Sequence, residues 1–395
     1  MQRFVVVGGG LAGLTAANAL AGPGRSVVVL EQSEALGGRA RTQVSKGYRL
    51  NLGPHALYLG GAAARTLREW GIPFTGKAPD VNSGAFMVHD GRPYPLIVGA
   101  QGLITTRLFG TAEKWQATRI LQQMVSGSAA AGESMAAWIA QRARSERVRQ
   151  FAAMLVRVST YTADLARLSA RAALDQFRLA KSHGVLYLDG GWQTLVDGLE
   201  QRARRLGVEI RTGEIVRSLE QIDADGIVLA VSPDAVERIA DRTLPPMHRV
   251  CAAILDLGLR KLPEGSARVA FGVDRPLYFS VHSASAKLAP EGGAVVHVAR
   301  YLHDDPADRE ELEEFADRMM PGWREHVESS RFLPRMTVTP ASFSAEGRPA
   351  VDELGIAGVA LAGDWVGSEG MLADAAVSSG LRAAGVVQRQ KLQAA

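Results

Sequence analysis

The sequence predicts an α/β protein in which a parallel-sheet unit is interrupted by two α+β insertions, and three observations carry that prediction. The first 31 residues run apolar stretch, glycine turn, helix, apolar stretch, acid. Strand-like apolar runs return at 208–231 and at 359–364. The stretches between them have a different character, mostly helical at 111–181 and strand-rich after 250. Strands alternating with helices indicate a parallel sheet, so the insertions at 78–183 and 250–348 are expected to form a second domain. The first domain then comprises 1–77, 184–249 and 349–395.

Arg3 to Val7 reads as a strand, Gly8-Gly9-Gly10-Leu11-Ala12-Gly13 as a turn, Leu14 to Leu20 as a helix, and Ser26 to Leu30 as a second strand closed by Glu31. Gly8, Gly10 and Gly13 have the G-x-G-x-x-G spacing, and Glu31 follows at the distance expected of a ribose-binding acid. Gly8 serves the tight turn, Gly10 a close approach to pyrophosphate, and Gly13 the packing of helix on sheet. The helix N-terminus faces the phosphates. A Rossmann-like dinucleotide site is therefore expected here.

Glu34 to Ala40 follows the second strand. Gly37 and Gly38 allow backbone to approach a ligand, and Arg39 can give charge-assisted bonds to phosphate. By itself the segment also reads as a surface loop. Tyr48 to Leu52 reads as a strand entering a Gly53-Pro54-His55 turn suited to lie against a flat ring. Short antiparallel strands are expected at 81–97, and Ser145 and Ser169 are placed to cap helices. Between Gln101 and Lys181 there are 12 Lys/Arg against 5 Asp/Glu. A solvated helical face explains this excess. A membrane-surface helix carrying Leu108, Phe109, Trp115 and Ile120 explains it too.

Leu186 to Leu188, Val208 to Ile210, Glu214 to Leu219 and Gly226 to Val231 are read as strands, with Pro233 opening a helix. The second insertion has strand-like pieces at Cys251 to Leu257, Ala267 to Val273, Tyr278 to Val281 and Ala294 to Tyr301, then a charged helix from Pro306 to Met320. Near the end, Val359 to Asp364 is a strand ending in Gly363-Asp364. Gly370-Met371-Leu372 then opens a helix lined with small residues.

The 395 residues carry a net charge of +4, which does not imply nucleic-acid binding. The single cysteine, Cys251, excludes an intramolecular disulfide and a cysteine metal cluster. The chain enters its first strand within three residues and has no apolar stretch of membrane-spanning length. Both features suggest a cytoplasmic protein without a signal peptide.

The stretches VVVGGGLAGLTAANAL, VVVLE, EALGGRART, NLGPHALYL, LDGGWQTLVDGL, VLAVSP and LAGDWVGSEGMLADAAVSSGLRAA are dispersed over nearly the whole chain. Together they resemble the flavin-containing amine oxidoreductases, which include monoamine oxidases, protoporphyrinogen oxidases and phytoene-type desaturases. The resemblance implies a GR2-type flavoprotein fold with FAD as cofactor. It puts Gly8, Gly10, Leu11, Ala12 and Gly13 at the pyrophosphate, Glu31 at the adenosine ribose, and Gly37, Gly38 and Arg39 near the phosphates. It puts Val216 beside adenine and Asp364, after Gly363, at the ribityl–phosphate region. Gly53, Pro54, Gly370, Met371 and Leu372 approach the ring system.

Two departures matter. No cysteine follows Cys251, so the cysteinyl tether of monoamine oxidases is excluded, and Asn51 stands where the family often has aspartate. The GPH turn and YFSVHSASAKLAP lean toward the desaturase and protoporphyrinogen oxidase branch. The expected reaction is dehydrogenation of a hydrophobic polyene or ring-containing substrate, with oxygen or a quinone as acceptor. Amine oxidation to an imine and a non-catalytic FAD-binding partner protein are the alternatives. No acid–base pair stands out. His55, Tyr278 and His282 are the catalytic candidates, though each also fits an ordinary core or solvated position.

Overall fold

The computed structural model describes residues 1–303, 307–344 and 346–392. Five strands form a parallel sheet in the order Glu209–Thr212, Arg25–Glu31, Gln2–Val7, Gly226–Leu229, Val359–Leu361. The central strands are runs of Val, Leu and Ile because both faces are covered by helices. Leu11–Leu20 packs against Leu372–Leu392 and Gln193–Arg205. The approach is close: a Cβ on Gly380 would lie 2.5 Å from the Ala12 carbonyl oxygen. The small side chains of the terminal helix make that crossing feasible.

The other large sheet has seven strands, ordered Val327–Thr339, Val250–Leu259, Ala294–Leu302, Leu277–Val281, Val269–Gly272, Ala85–His89, Arg92–Pro95. All neighbours are antiparallel except Val269–Gly272 with Ala85–His89. Alternation along Val250–Leu259 divides its faces. Cys251, Leu255 and Leu257 pack with Leu312, Phe315 and Met319 of the helix Arg309–Met319. Ala252 and Ile254 face the other way, with Tyr278, Ala299 and Tyr301. A separate helical core joins Thr111–Ser126, Met135–Arg142, Glu146–Thr160 and Ala170–His183 around Ile120, Trp138, Phe151 and Met154. The architecture is the expected one, a Rossmann-like α/β unit with an inserted α+β portion.

Several local expectations need correction. Glu214 to Leu219 is not a strand. Glu214 N–H donates to the Glu31 carbonyl at the end of the second strand, but Ile215 is exposed and, among the described residues, no strand pairs with the segment beyond that bond. The long strand Val327–Thr339 is not legible in the sequence because its pattern is mixed and interrupted by Pro334. It lies at the sheet edge, with a register shift across Pro334, where proline is tolerated. Leu108, Phe109 and Ile120 do not form an outer helical face; all three are buried in the helical core. Ser169 caps its helix through Ala172 N–H, whereas Ser145 offers its helix no side-chain cap and donates to Glu113. Pro306 lies outside the described residues.

Candidate cofactor and substrate site

A cavity of about 860 Å³ lies where the parallel strands end and the antiparallel sheet begins. Ligands of open α/β sheets bind at that edge, and the volume suits a large organic ligand. Gly8, Gly10, Leu11 and Ala12 line it. Gly8 has φ +107°, and a Cβ there would be 2.4 Å from the Ala230 carbonyl oxygen. A Cβ on Gly13 would come within 1.9 Å of the Gly8 carbonyl oxygen. Gly10 is different: a Cβ there would meet only the Gly37 carbonyl oxygen, at 3.9 Å. The backbone at Gly10 thus borders open space rather than protein. No side chain caps this helix start, so its first N–H groups are available to an anion.

Glu31 is buried and accepts from Gly9 N–H at 2.6 Å and Ser33 N–H at 2.9 Å, while still lining the cavity. Its carboxylate therefore orders the glycine turn as well as facing the cavity. Arg39 and Asp364, assigned separately from sequence, form a bidentate pair of 2.6 and 2.5 Å. Gly37, Gly38, Val216 and Gly363 also line the cavity. Arg348 was not singled out from sequence, yet it organises the C-terminal loop. Its guanidinium donates to the carbonyls of Asp364, Gly367 and Gly370 and lies over the Phe343 ring. Burial lowers its pKa to about 10, so it stays charged at neutral pH.

Pro54 and His55 reach the cavity and Leu372 closes it from the terminal helix; Gly13, Gly53, Gly370 and Met371 are not on the lining. Leu372 has φ +54°, and Gly53 has φ +83° with its Cβ position filled by Ile254. Asn51 Oδ1 accepts from Thr42 Oγ1 and Trp192 N–H, so asparagine does organise this turn. Burial pushes His55 down to about 4, only partly opposed by the Gly53 carbonyl, and leaves the imidazole neutral at pH 7.

Tyr278 and His282 lie behind the cavity wall. Tyr278 hydroxyl shares a 2.9 Å bond with Tyr187 hydroxyl, and His282 stacks on the Tyr187 ring at 3.8 Å. Burial, then the neighbouring His297, holds His282 well below the usual histidine range. Tyr161 and Tyr301, absent from the sequence candidates, line the cavity and meet edge to face at 5.9 Å. Tyr161 is the left-handed C-cap of Glu146–Thr160. Nothing in the local sequence marks these two, because strand register and a helix end bring them together.

A buried polar row crosses the antiparallel sheet beside this wall. Arg331 pairs with Asp256, Asp256 with His297, and His297 with Ser280 in register. Asp256 and His297 are fully buried. Asp256 accepts from His297 Nδ1 at 2.5 Å and from the Arg331 guanidinium, which also donates to the Asn51 carbonyl. The row thereby fastens the sheet to the turn that carries His55.

The donor set fits a flavin dinucleotide. Free helix N–H groups meet a glycine turn that tolerates close approach at Gly10, the buried acid Glu31 lines the cavity at the end of the second strand, and Arg39 borders it. Cys251, 3% exposed, points into the core on the far face of its strand and cannot tether a ligand in the cavity.

Residues 11–248 match the family described as flavin containing amine oxidoreductase. An L-amino-acid oxidase of Crotalus adamanteus is 55% identical over 56 residues, 14% of this chain and 11% of that protein, so the match spans a small part of its length. An oxidoreductase from Methanosarcina mazei is similar in structure, with a TM-score of 0.77 and 18% identity over 96% of this chain and 99% of that one. Cyclohexylamine oxidase from Brevibacterium oxydans IH-35A gives 0.65 and 16% over 99% of both chains. At these identities the structural likeness concerns the fold.

Proposed function

The chain belongs to the family of flavin containing amine oxidoreductases, and we propose that it binds FAD without a covalent bond and oxidises a small amine to an imine. The observation that carries the amine reading is the distribution of charge around the cavity. Its lining carboxylates, Glu31, Glu214, Asp234 and Asp364, all lie at or just beyond the ends of parallel strands. The part lined by His55, Tyr161, Ala252, Ile254, Ala299 and Tyr301 has no charged side chain, and His55 there is neutral. Such surroundings favour an uncharged amine over its ammonium form, and the uncharged form has the lone pair that imine formation uses. The Crotalus enzyme acts, by its name, on an amino acid, which agrees with this reading.

Bound flavin would supply the two-electron acceptor for removal of hydrogen from the carbon beside nitrogen. The chain's own residues bind and orient. The glycine turn and Arg39 hold the phosphates, Glu31 the ribose, and the Arg348-clamped loop with Leu372 borders the ring. Tyr161 and Tyr301 present aromatic faces to substrate and exclude water. We assign the cofactor to residues 1–77, 184–249 and 349–395, and the substrate wall to 78–183 and 250–348. Oxygen or a quinone accepts the electrons. A second reading, desaturation of a polyene or ring-containing substrate, is favoured by the apolar side chains Ala252, Ile254, Ala299 and Met336 on the lining. Anaerobic mixing with a panel of amines, amino acids, polyenes and porphyrinogens tests the assignment. Bleaching of the flavin by amines alone supports it; bleaching by polyenes or porphyrinogens alone replaces it with the second reading.

A further inference from the structure

The described residues include nine large hydrophobic side chains that are exposed, and four of them lie within one short stretch: Val98, Ile104, Trp115 and Val125. Trp115 is 75% and Ile104 71% exposed. Both lie on a helical pair, Gly99–Thr105 and Thr111–Ser126, tied together by Lys114 Nζ donating to the Ile104 carbonyl. The neighbouring Leu103, Leu108, Phe109 and Ile120 are buried. The pair therefore satisfies its own core and still presents a tryptophan and an isoleucine to solvent. A helix that merely packs inward has no physical need of those two residues.

The charges around them have one sign. Residues 91–132 contain Arg92, Arg107, Lys114 and Arg119 against Glu113 alone. Glu113 is already engaged by Gly110 N–H, Ser145 Oγ and Arg147. Arg92, Arg107 and Arg119 are exposed and have no ion-pair partner among the described residues. Arg119 stands one helical turn beyond Trp115, on the same face. A projecting tryptophan and isoleucine ringed by unpaired cations match the interfacial zone of a bilayer. There an indole settles at headgroup level and long basic side chains reach the phosphates.

We propose that this helical pair docks the protein on an anionic phospholipid surface, with Trp115 and Ile104 inserted and Arg107, Lys114 and Arg119 against the headgroups. The mode is peripheral, since no helix among the described residues is long and apolar enough to cross a membrane. This inference does not depend on flavin binding or on the amine reading.

The test is co-sedimentation of the full chain with phosphatidylglycerol–phosphatidylcholine vesicles and with pure phosphatidylcholine vesicles, at low and moderate salt. Binding to the anionic vesicles that weakens with salt is expected. Arg107→Gln with Arg119→Gln should weaken partitioning about 25-fold, about fivefold for each cation removed. Trp115→Ala with Ile104→Ser should weaken it about tenfold or more, while Leu206→Ser, at a distant exposed position, should leave it unchanged. Failure to sediment with anionic vesicles at low salt would overturn the proposal. So would equal binding to neutral vesicles, or binding that survives both double variants. Trp115-dependent self-association without vesicle binding would assign the patch to a second copy of the chain instead. Circular dichroism of each variant checks that it is folded.

Discussion

The two large sheets of this protein use their polar groups in opposite ways. In the parallel sheet the polar features sit at and beyond the strand ends, where Gly8, Gly10, Glu31, Asp364 and an uncapped helix start line the cavity. In the antiparallel sheet they lie within the strands, as the row Arg331, Asp256, His297 and Ser280, in which Asp256, His297 and Ser280 are buried and Asp256 is held by His297 and Arg331. The first arrangement is built to meet a ligand, and the second to hold a wall in place. Substitutions in the first should therefore be read in binding, and those in the second in stability.

The largest effect should come from the antiparallel row. Asp256→Ala strips the carboxylate from buried His297 and half-buried Arg331 and should lower stability by about 3–5 kcal/mol, measured by urea denaturation. A loss below about 1 kcal/mol would show that the row does not hold the wall. Next is Gly13→Ala in the helix Leu11–Leu20 that covers the parallel sheet, where the new methyl meets backbone 1.9 Å away. This change should remove about 3 kcal/mol through overpacking, whatever the ligand.

Asp374 gives a pH-dependent effect of intermediate size. It is 3% exposed and accepts from Ala63 N–H, and burial raises its pKa to about 6. The folded protein then holds this proton more tightly than the unfolded chain does. The associated stability is complete below the unfolded value near 4 and is lost as pH rises through about 6. Asp374→Asn should stabilise the protein by about 2 kcal/mol at pH 7 and flatten the melting temperature between about pH 4 and 6. An unchanged pH profile would contradict the burial argument.

Gly10→Ala has the smallest effect on the fold and is the sharpest test of the comparison. Its methyl meets nothing in the protein closer than 3.9 Å, so stability should be unaltered. FAD affinity should nevertheless fall about tenfold or more, about 1.4 kcal/mol. A variant that binds FAD as tightly as the parent would remove Gly10 from the phosphate contact.

The same division explains what was legible in the sequence. Gly8, Gly10, Gly13, Glu31 and the Gly363-Asp364 strand end can be read because their roles follow from local spacing; the structure brings all but Gly13 to one cavity and packs Gly13 against the Gly8 backbone. The pairing of Arg39 with Asp364 could not be read, since 325 residues separate them. Tyr161, Tyr301 and the Asp256 row are products of register between distant strands and of a helix end, which no short motif encodes. Val327–Thr339 escaped because an edge strand tolerates Pro334 and a mixed polar pattern. Trp115 was read alongside Leu108 and Phe109 as one face, although packing turns the last two inward.

The central claim is that the edge of the parallel sheet holds FAD without a covalent bond. Its direct measurement is the visible spectrum of the supernatant after acid precipitation of the purified, flavin-reconstituted protein. The account predicts a yellow supernatant containing one FAD per chain and a colourless pellet. A yellow pellet would contradict the non-covalent attachment, and a protein that takes up no flavin on reconstitution would contradict the claim as a whole.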